Sequence, residues 1–498
     1  MRILYLDIDT LRPDHLGCYG YHRNTSPNVD RIAAQGVRFT NCYASDAPCL
    51  PSRSALFNGR FGIHTGVVNH GGLAADMFLE GKSRGFGCAA DKASWTFKMR
   101  DAGFRTISIS PFAERHAAWW FCNGFNEMYN TGRRGNESAE EIMPVAIDWL
   151  ERNGQSDNWF LQLNLWDPHT TYRAPAEFGN PFENDPPPAF MTEQLRQKHW
   201  DSYGPHSAQD LYQFGYKSEE EWQERHKMFP RIPRSIASMA DYKQWIDGYD
   251  CGIRYMDDQV GKVLDILEKQ GVLEDTVIIL SSDHGENQGE LNIYGDHHTA
   301  DHVTSRIPLI VRWPGLTPKG ATCDALLYNL DLPPTMVELL GGQCPALWDG
   351  ESFAPALRGE QFGGRDFLVV SQFAWSCQRS VRWKNWIMIR TYHDGLKDFP
   401  DVMLFDIEND PHELNNLAAA KPDVVGEGLR MLDRWTAEMM ATSESTEDPL
   451  WIVMSEGGPY HTAGAVKLYG DRLRSTGRAH HADALEKRHQ RLFELWKR

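Results

Sequence analysis

Short apolar runs alternate with helical stripes through the first two-thirds of the chain. Ile3–Ile8 has the length and composition of a buried strand, and Thr106–Ser110, Trp159–Leu165 and Thr276–Leu280 repeat the pattern. Ser26-Pro27 opens a helix with Val29, Ile32 and Ala33 on one face, and Gly36 stops it. Ile253, Met256, Val260, Val263, Leu264 and Leu267 recur at helical spacing, with Gly271 as the stop. Strands alternating with helices predict an α/β fold with a mostly parallel central sheet covered on both faces.

After Gly364 the rhythm shortens to Phe367–Ser371, Ser380–Trp383, Trp386–Arg390 and Met403–Asp406, followed by a helix over 422–440. The chain therefore divides into an α/β domain over 1–364 and a smaller α+β domain with a helical tail over 365–498. The tail ends in a helix pattern over 483–496 with Leu485, Leu492, Phe493 and Trp496, suited to core packing first and to a homo-oligomer contact second. There is no internal repeat and no low-complexity tract.

Three of the strands run into acids and histidines. The first leads into Asp7-Ile8-Asp9, the Trp159 strand into Asp167-Pro168-His169, and the Thr276 strand into Asp283-His284-Gly285. Ligands of open α/β sheets bind outside the carboxyl ends of the strands, so these residues are expected at one edge. Polar loop starts explain any one of the three, and explain all three together less well.

The net charge of −17 opposes a nucleic-acid or anionic-membrane surface, while a small anionic substrate remains compatible through a local pocket. No run is long and apolar enough to span a bilayer, and no apolar targeting segment precedes the first strand. The nine cysteines are scattered without paired spacing, which suits a reducing compartment, so a cytoplasmic location is expected.

Residues 49–60 read Cys-Leu-Pro-Ser-Arg-Ser-Ala-Leu-Phe-Asn-Gly-Arg. Pro51 fits a first helical turn and Gly59 a helix end, which places Cys49 at a helix N-terminus where exposed N–H groups favour an anion. Arg53, one turn on, can reach back to the same place. Taken alone, this arrangement also suits a reactive thiolate.

Cys49-x-Pro51-Ser52-Arg53 with Leu56 and Gly59-Arg60 closely resembles the signature of the sulfatase family. Asp9-Thr10-Leu11-Arg12 and Ser26-Pro27-Asn28-Val29-Asp30 are similar to that family's opening segment, Asp283-His284-Gly285 to its second metal cluster, and Arg306-Ile307-Pro308 through Pro314-Gly315 to the strand after it. Asp331 to Thr335 and Leu404 to Leu417 resemble its C-terminal landmarks, so the likeness covers roughly residues 1–440.

The resemblance implies an alkaline-phosphatase-like sandwich that hydrolyses a sulfate monoester, with a sugar as candidate carrier. It implies that Cys49 is converted to formylglycine by a formylglycine-generating enzyme. The hydrated aldehyde then supplies one hydroxyl to attack sulfur and another whose deprotonation expels sulfate, which a serine could not do. Arg53 would stabilise residue 49; Asp9, Asp283 and His284 would bind a divalent metal, with Ca²⁺ favoured over Mn²⁺ or Mg²⁺; and His169 would face the sulfate or leaving group. Rival readings are an unmodified pseudoenzyme that binds sulfated ligands and a direct Cys49 thiolate.

Several positions depart from the family pattern. Thr10 stands where a second aspartate is usual; Asp7 could compensate as a ligand or could be a buried strand-end acid. Asp9 without that neighbour, together with Asp283-His284, resembles the family's phosphonate and phosphodiester monoester hydrolases, the enzymatic alternative. The usual Lys-x-His segment is replaced by Ser110 to His116, where Arg115 and His116 could take the cationic and proton-donating roles or form a surface loop. His297 occupies the position of a family lysine, with a solvated turn at 295–298 as its alternative. His64, Asn69 and His70 follow the nucleophile helix closely and could touch substrate, but are expected first as bystanders; Trp119, Trp120 and Trp166 could stack on a sugar or aryl ring, but are expected first as packing residues. Substrate selectivity is assigned to loops 71–92 and 170–245 and to the tail.

Overall fold

The computed structural model describes residues 1–80 and 93–496, with side chains to 490. Its strands are, in chain order, β1 (Arg2–Ile8), β2 (Val37–Tyr43), β3 (Asp46–Ala47), β4 (Arg105–Ile109), β5 (Glu127–Tyr129), β6 (Trp159–Leu165), β7 (Thr276–Ser282) and β8 (Asn287–Gln288). They continue with β9 (Tyr294–Asp296), β10 (Arg306–Arg312), β11 (Ala321–Cys323), β12 (Leu327–Tyr328), β13 (Phe367–Gln372), β14 (Cys377–Trp383), β15 (Trp386–His393) and β16 (Val402–Asp406). The large sheet has the order β11-β2-β10-β7-β1-β6-β4-β5, with β12 also paired to β2. Only β10 runs antiparallel to its neighbours there, so the sheet is mostly parallel, as the alternating pattern predicts.

The two faces of β1 feed two cores. Leu4, Leu6 and Ile8 pack with Val29 and Ile32 of helix α1 (Pro27–Ala33) and with the helices Ala139–Asn153 and Met239–Lys269. Ile3 and Tyr5 face the other way, onto Leu50, Leu56 and Phe57 of helix α2 (Cys49–Asn58). Asp7 is in phase with Ile3 and Tyr5, so it lies on the α2 side of the sheet. The Met239–Lys269 helix starts well before the aliphatic stripe because Tyr242, Trp245, Ile246 and Tyr249 extend its buried face, and Ser238 and Asp241 close a capping box at its start.

The smaller sheet, β16-β15-β14-β13, is an antiparallel meander, extended by β3 pairing parallel to β13. A two-residue strand just ahead of Cys49 is thereby stitched into the C-terminal sheet. Its cover is the Pro422–Thr442 helix, which packs Leu432 and Trp435 on Trp383 and Met388.

The tail holds the helices Pro449–Ser455, Val466–Ser475 and Ala479–Trp496. Leu485 is fully buried, as expected, while the side chains of Leu492, Phe493 and Trp496 lie outside the described residues, as does segment 81–92 of the first selectivity loop. Buried Asp210 anchors the tail: Tyr469 Oη donates to it at 2.9 Å, Arg472 Nε at 3.2 Å, and both Arg478 Nη atoms at 2.9 and 3.1 Å. No described helix is long and apolar enough to cross a membrane.

Two stability predictions follow from these contacts. Asp210→Asn leaves buried Arg478 without its counter-charge and should lower the unfolding free energy by about 3 kcal/mol, read from denaturant midpoints. His64 donates to Asp349 at 2.8 Å through Nδ1 and to the Met439 carbonyl at 2.9 Å through Nε2. Burial opposes its charge, but Asp349 outweighs burial and its pKa is raised. The clamp should therefore be at full strength below the unfolded-state pKa of about 6.5 and fade as pH rises through the folded-state value. The stability gap between wild type and His64→Gln should be widest under acidic conditions and narrow towards alkaline ones.

Candidate active site

Strand register assembles the site. Arg2 of β1 pairs with Trp159 of β6 and Thr276 of β7, and Asp7 pairs with Asn164 and Ser281. Two residues beyond that last rung, Asp9 and Asp283 leave the sheet side by side. Between them the Thr10 N–H donates to Asp283 Oδ1 at 3.1 Å. Thr10 has φ 55°, a left-handed conformation unusual for a β-branched residue, and its buried hydroxyl has no partner.

Helix α2 brings the remaining parts. Cys49 is its first residue, and Gly59 closes it at φ 62°, where a Cβ would lie 2.7 Å from the Trp348 ring. All ten residues of α2 are buried, the polar Ser52, Arg53, Ser54 and Asn58 included. Burying so many polar side chains requires partners, and Ser52 Oγ finds one in the Asp283 carbonyl at 2.6 Å.

Arg53 is the hub. Its Nε and Nη2 donate to the two oxygens of Asp7 at 2.9 and 3.0 Å, and its Nη1 donates to Asp9 at 3.1 Å and Asp283 at 2.6 Å. One guanidinium thus meets three buried carboxylates, leaving up to two negative charges uncompensated, the charge of a divalent cation. Burial first, and then Asp283, push the Asp9 carboxyl well above its usual range. Burial also opposes ionisation of Asp283, but Arg53, His284 and two backbone N–H groups outweigh it and hold that carboxyl low.

Asp9 Oδ1 is buried without a hydrogen bond, and ligand atoms of Asp9, Cys49, Asp283 and His284 lie within 4.8 Å of one another. His284 is oriented for coordination. Its Nδ1 donates to the Gly285 carbonyl at 2.7 Å, which leaves the Nε2 lone pair 3.2 Å from Cys49 Sγ. Two hard carboxylates, one imidazole and an unpartnered oxygen fit a divalent metal. Asp7 does not join this group, which corrects its assignment as a ligand: both its oxygens are held by Arg53, and Oδ2 also accepts from Gln162 at 2.9 Å.

A rim of histidines surrounds Cys49. His169 Nε2 stands 4.0 Å from Asp9 Oδ1 while its Nδ1 donates to the Thr170 carbonyl. The His297 ring lies 4.2 Å from that of His284 and 5.9 Å from that of His169. It is 4 % exposed, so segment 295–298 is no solvated turn. His116 and His70 each bring a ring nitrogen within 4.8 Å of Cys49 Sγ, and their centroids are 4.9 Å apart. Residues 110–116 are therefore no surface loop, and His70 stands beside Cys49. Arg115 lies over Trp166 at 5.1 Å and donates to the Arg134 carbonyl at 3.2 Å. Burial first, then neighbouring cations, lowers the pKa of His116 and His169, and burial and other histidines lower that of His297.

Two rim residues had no signal in the sequence. His461 arrives from the tail and approaches His70, Nε2 to Nδ1, at 2.9 Å. Arg173 donates to the carbonyls of His169 and Gly135 at 3.1 and 3.2 Å. Trp166 is buried beneath Arg53 and Arg115, which makes it the floor of the site, while Trp120 packs in the core.

The family model described as Sulfatase matches residues 2–342. The chain belongs to the sulfatase family. A second model, described as N-sulphoglucosamine sulphohydrolase, C-terminal, matches residues 289–427 of this sulfatase. An N-acetylglucosamine-6-O-sulfatase of Bacteroides thetaiotaomicron is 24% identical over 83% of this chain and 82% of its own length, and the steryl-sulfatase of Rattus norvegicus is 25% identical over 90% of each. Among solved structures, a protein in complex with its substrate D-glucosamine-2-N,6-O-disulfate superposes with a TM-score of 0.68, at 20% identity, over 90% of this chain and 99% of that one. The phosphonate monoester hydrolase of Silicibacter pomeroyi superposes with a TM-score of 0.63, at 19% identity, over 89% and 96%. The sulfatase is thus a hydrolase of sulfate esters with an alkaline-phosphatase-like fold, as the resemblance in its motifs implies.

Metal content separates the roles of the three aspartates. Asp9→Asn, Asp283→Asn and His284→Ala should each lose the bound divalent ion, whereas Asp7→Asn should retain it, as read by elemental analysis of folded protein.

Proposed function

We propose that this sulfatase hydrolyses a sulfate monoester of an amino sugar, with Cys49 matured to formylglycine by a formylglycine-generating enzyme and a divalent cation, Ca²⁺ by preference, held by Asp9, Asp283 and His284. The observation that carries the reading is the convergence of Cys49 with these three ligands around Arg53. The sugar assignment is supported by the C-terminal family model, by the likeness to an N-acetylglucosamine-6-O-sulfatase and by the superposition on a protein bound to D-glucosamine-2-N,6-O-disulfate.

The thiol itself is a poor nucleophile here, because burial and then Asp9 and Asp283 push its pKa well above the usual value. As a hydrated aldehyde, residue 49 would supply an attacking hydroxyl and a second hydroxyl for sulfate release, and a divalent ion held by Asp9, Asp283 and His284 would supply positive charge to lower the first one's pKa and neutralise the ester oxygens. Arg53 keeps Asp9 and Asp283 in place and adds a positive charge beneath the sulfate. His169 and His297, both held neutral by burial, flank the site on the side of Asp9 and His284. The negative charge of a bound sulfate ester would oppose that burial and favour protonation of one of them, which would then deliver the proton to the leaving alkoxide, and Arg115 and His116 would donate to the sulfate oxygens.

A phosphorus ester is the second reading. It is favoured by Asp283-His284 combined with Thr10 in place of a second aspartate, and by the superposition on phosphonate monoester hydrolases.

Mass spectrometry of the peptide containing residue 49, from the native host, should show the aldehyde, lighter than cysteine. Cys49→Ala should lower kcat/KM by at least about 10⁴-fold, and Cys49→Ser should stall after a single turnover. On modified protein, 6-sulfated glucosamine should be turned over faster than an aryl phosphonate monoester. A large preference for the phosphonate, or an intact thiol in active native enzyme, overturns the reading.

A further inference from the structure

Next to the catalytic group, and outside it, lies a second convergence of ligands. Ring nitrogens of His206 and His298 and a carboxylate oxygen of Asp296 fall within 4.8 Å of one another, all on buried residues. Asp296 Oδ2 is 3.2 Å from His206 Nε2 and 3.7 Å from His298 Nε2. Donors about 2.0–2.1 Å from a tetrahedral zinc ion stand roughly 3.3 Å apart, so these separations are close to the edges of such a site.

The hydrogen bonds of the group are incomplete. His298 is 1% exposed, yet neither of its ring nitrogens has a hydrogen-bond partner, and His206 Nδ1 has none. A neutral imidazole offers one donor and one acceptor, and burying both unmet is costly. His206 Nε2 accepts one N–H, from Gln213 at 3.2 Å, a lone pair that coordination would take over. Lys397, the nearby buried cation, points its Nζ to the Asn292 carbonyl at 3.3 Å and supplies no ligand.

The scaffold holds the ligands from three directions. His298 stacks on Trp375 at 4.0 Å and 14°, and its carbonyl accepts from Ser376 Oγ at 2.6 Å. The His206 carbonyl accepts the Tyr294 N–H at 2.8 Å, which ties the 206 segment to β9. Asp296 Oδ1 accepts the His297 N–H at 2.8 Å.

We propose that His206, Asp296 and His298 form a second metal site, selective for Zn²⁺ or a similar late first-row divalent ion. Two imidazoles and one carboxylate are a softer set than the oxygen-rich group at Asp9 and Asp283, so the two sites select different ions. The second ion fixes Asp296 and, through it, the position of His297 against His284. The site stands whichever ester the enzyme hydrolyses.

The test is a Co²⁺ titration of the metal-stripped full-length chain, followed by elemental analysis and visible absorption. Two equivalents are expected, one of them carrying the intense visible bands of four-coordinate Co²⁺. His298→Gln and His206→Gln should each lose that equivalent and those bands, while circular dichroism and the equivalent removed by Asp9→Asn remain. Binding of a single equivalent by the unchanged chain overturns the proposal, as does retention of two equivalents by both variants. If a variant fails to fold, Asp9→Asn decides alone: it should keep one four-coordinate Co²⁺, and none overturns the site.

Discussion

The site depends on one buried guanidinium holding three buried carboxylates at the edge of a parallel sheet. Each charge alone would cost several kcal/mol to bury, and their mutual attraction is what makes the burial tolerable. The arrangement is deliberately unbalanced, with more acid than base. That surplus, in a region closed to water, turns a structural ion pair into a cation site and leaves Asp9 Oδ1 without a protein partner. Burial first, and then the same surplus, push the pKa of the Cys49 thiol well above its usual value.

The active site is not the property of the large sheet alone. β3 joins the segment ahead of Cys49 to the small sheet, Gln372 donates to the His297 carbonyl, and His461 comes from the tail to meet His70. The small sheet and the tail therefore reach the rim around Cys49, and Asp210 and the His64–Asp349 clamp help to hold them to the large domain.

Much of this was legible in the sequence, for identifiable reasons. The strands β1, β4, β6 and β7 are short, apolar and bounded by polar loops, so their existence and their functional ends could be read directly. α2 could be placed from Pro51 and Gly59, and its motif identified the family. Asp7 could not be settled by sequence, because a metal ligand and a bidentate partner of Arg53 need the same residue type in the same place. The pairing of His70 with His461 was invisible for a different reason: the two are far apart in the chain, sit in irregular segments and meet only through tertiary folding. The segment 295–298 resembles a surface turn by composition, and is buried because Gln372 of β13, Trp375 and Ser376 close over it.

The stitch between β3 and β13 also sets a clock. Cys49 is 1% exposed and begins a helix with no solvent-facing side, so the maturation proposed for it would have to precede the closing of these elements. The partner strand, β13, starts at Phe367, and at about 5–20 residues per second a ribosome takes roughly 16–64 s to travel from one to the other. For that interval β3 has no partner strand to pair with, and the enclosure seen around position 49 is incomplete on that side. Slower translation of the intervening stretch would lengthen it, and faster-folding variants would shorten it.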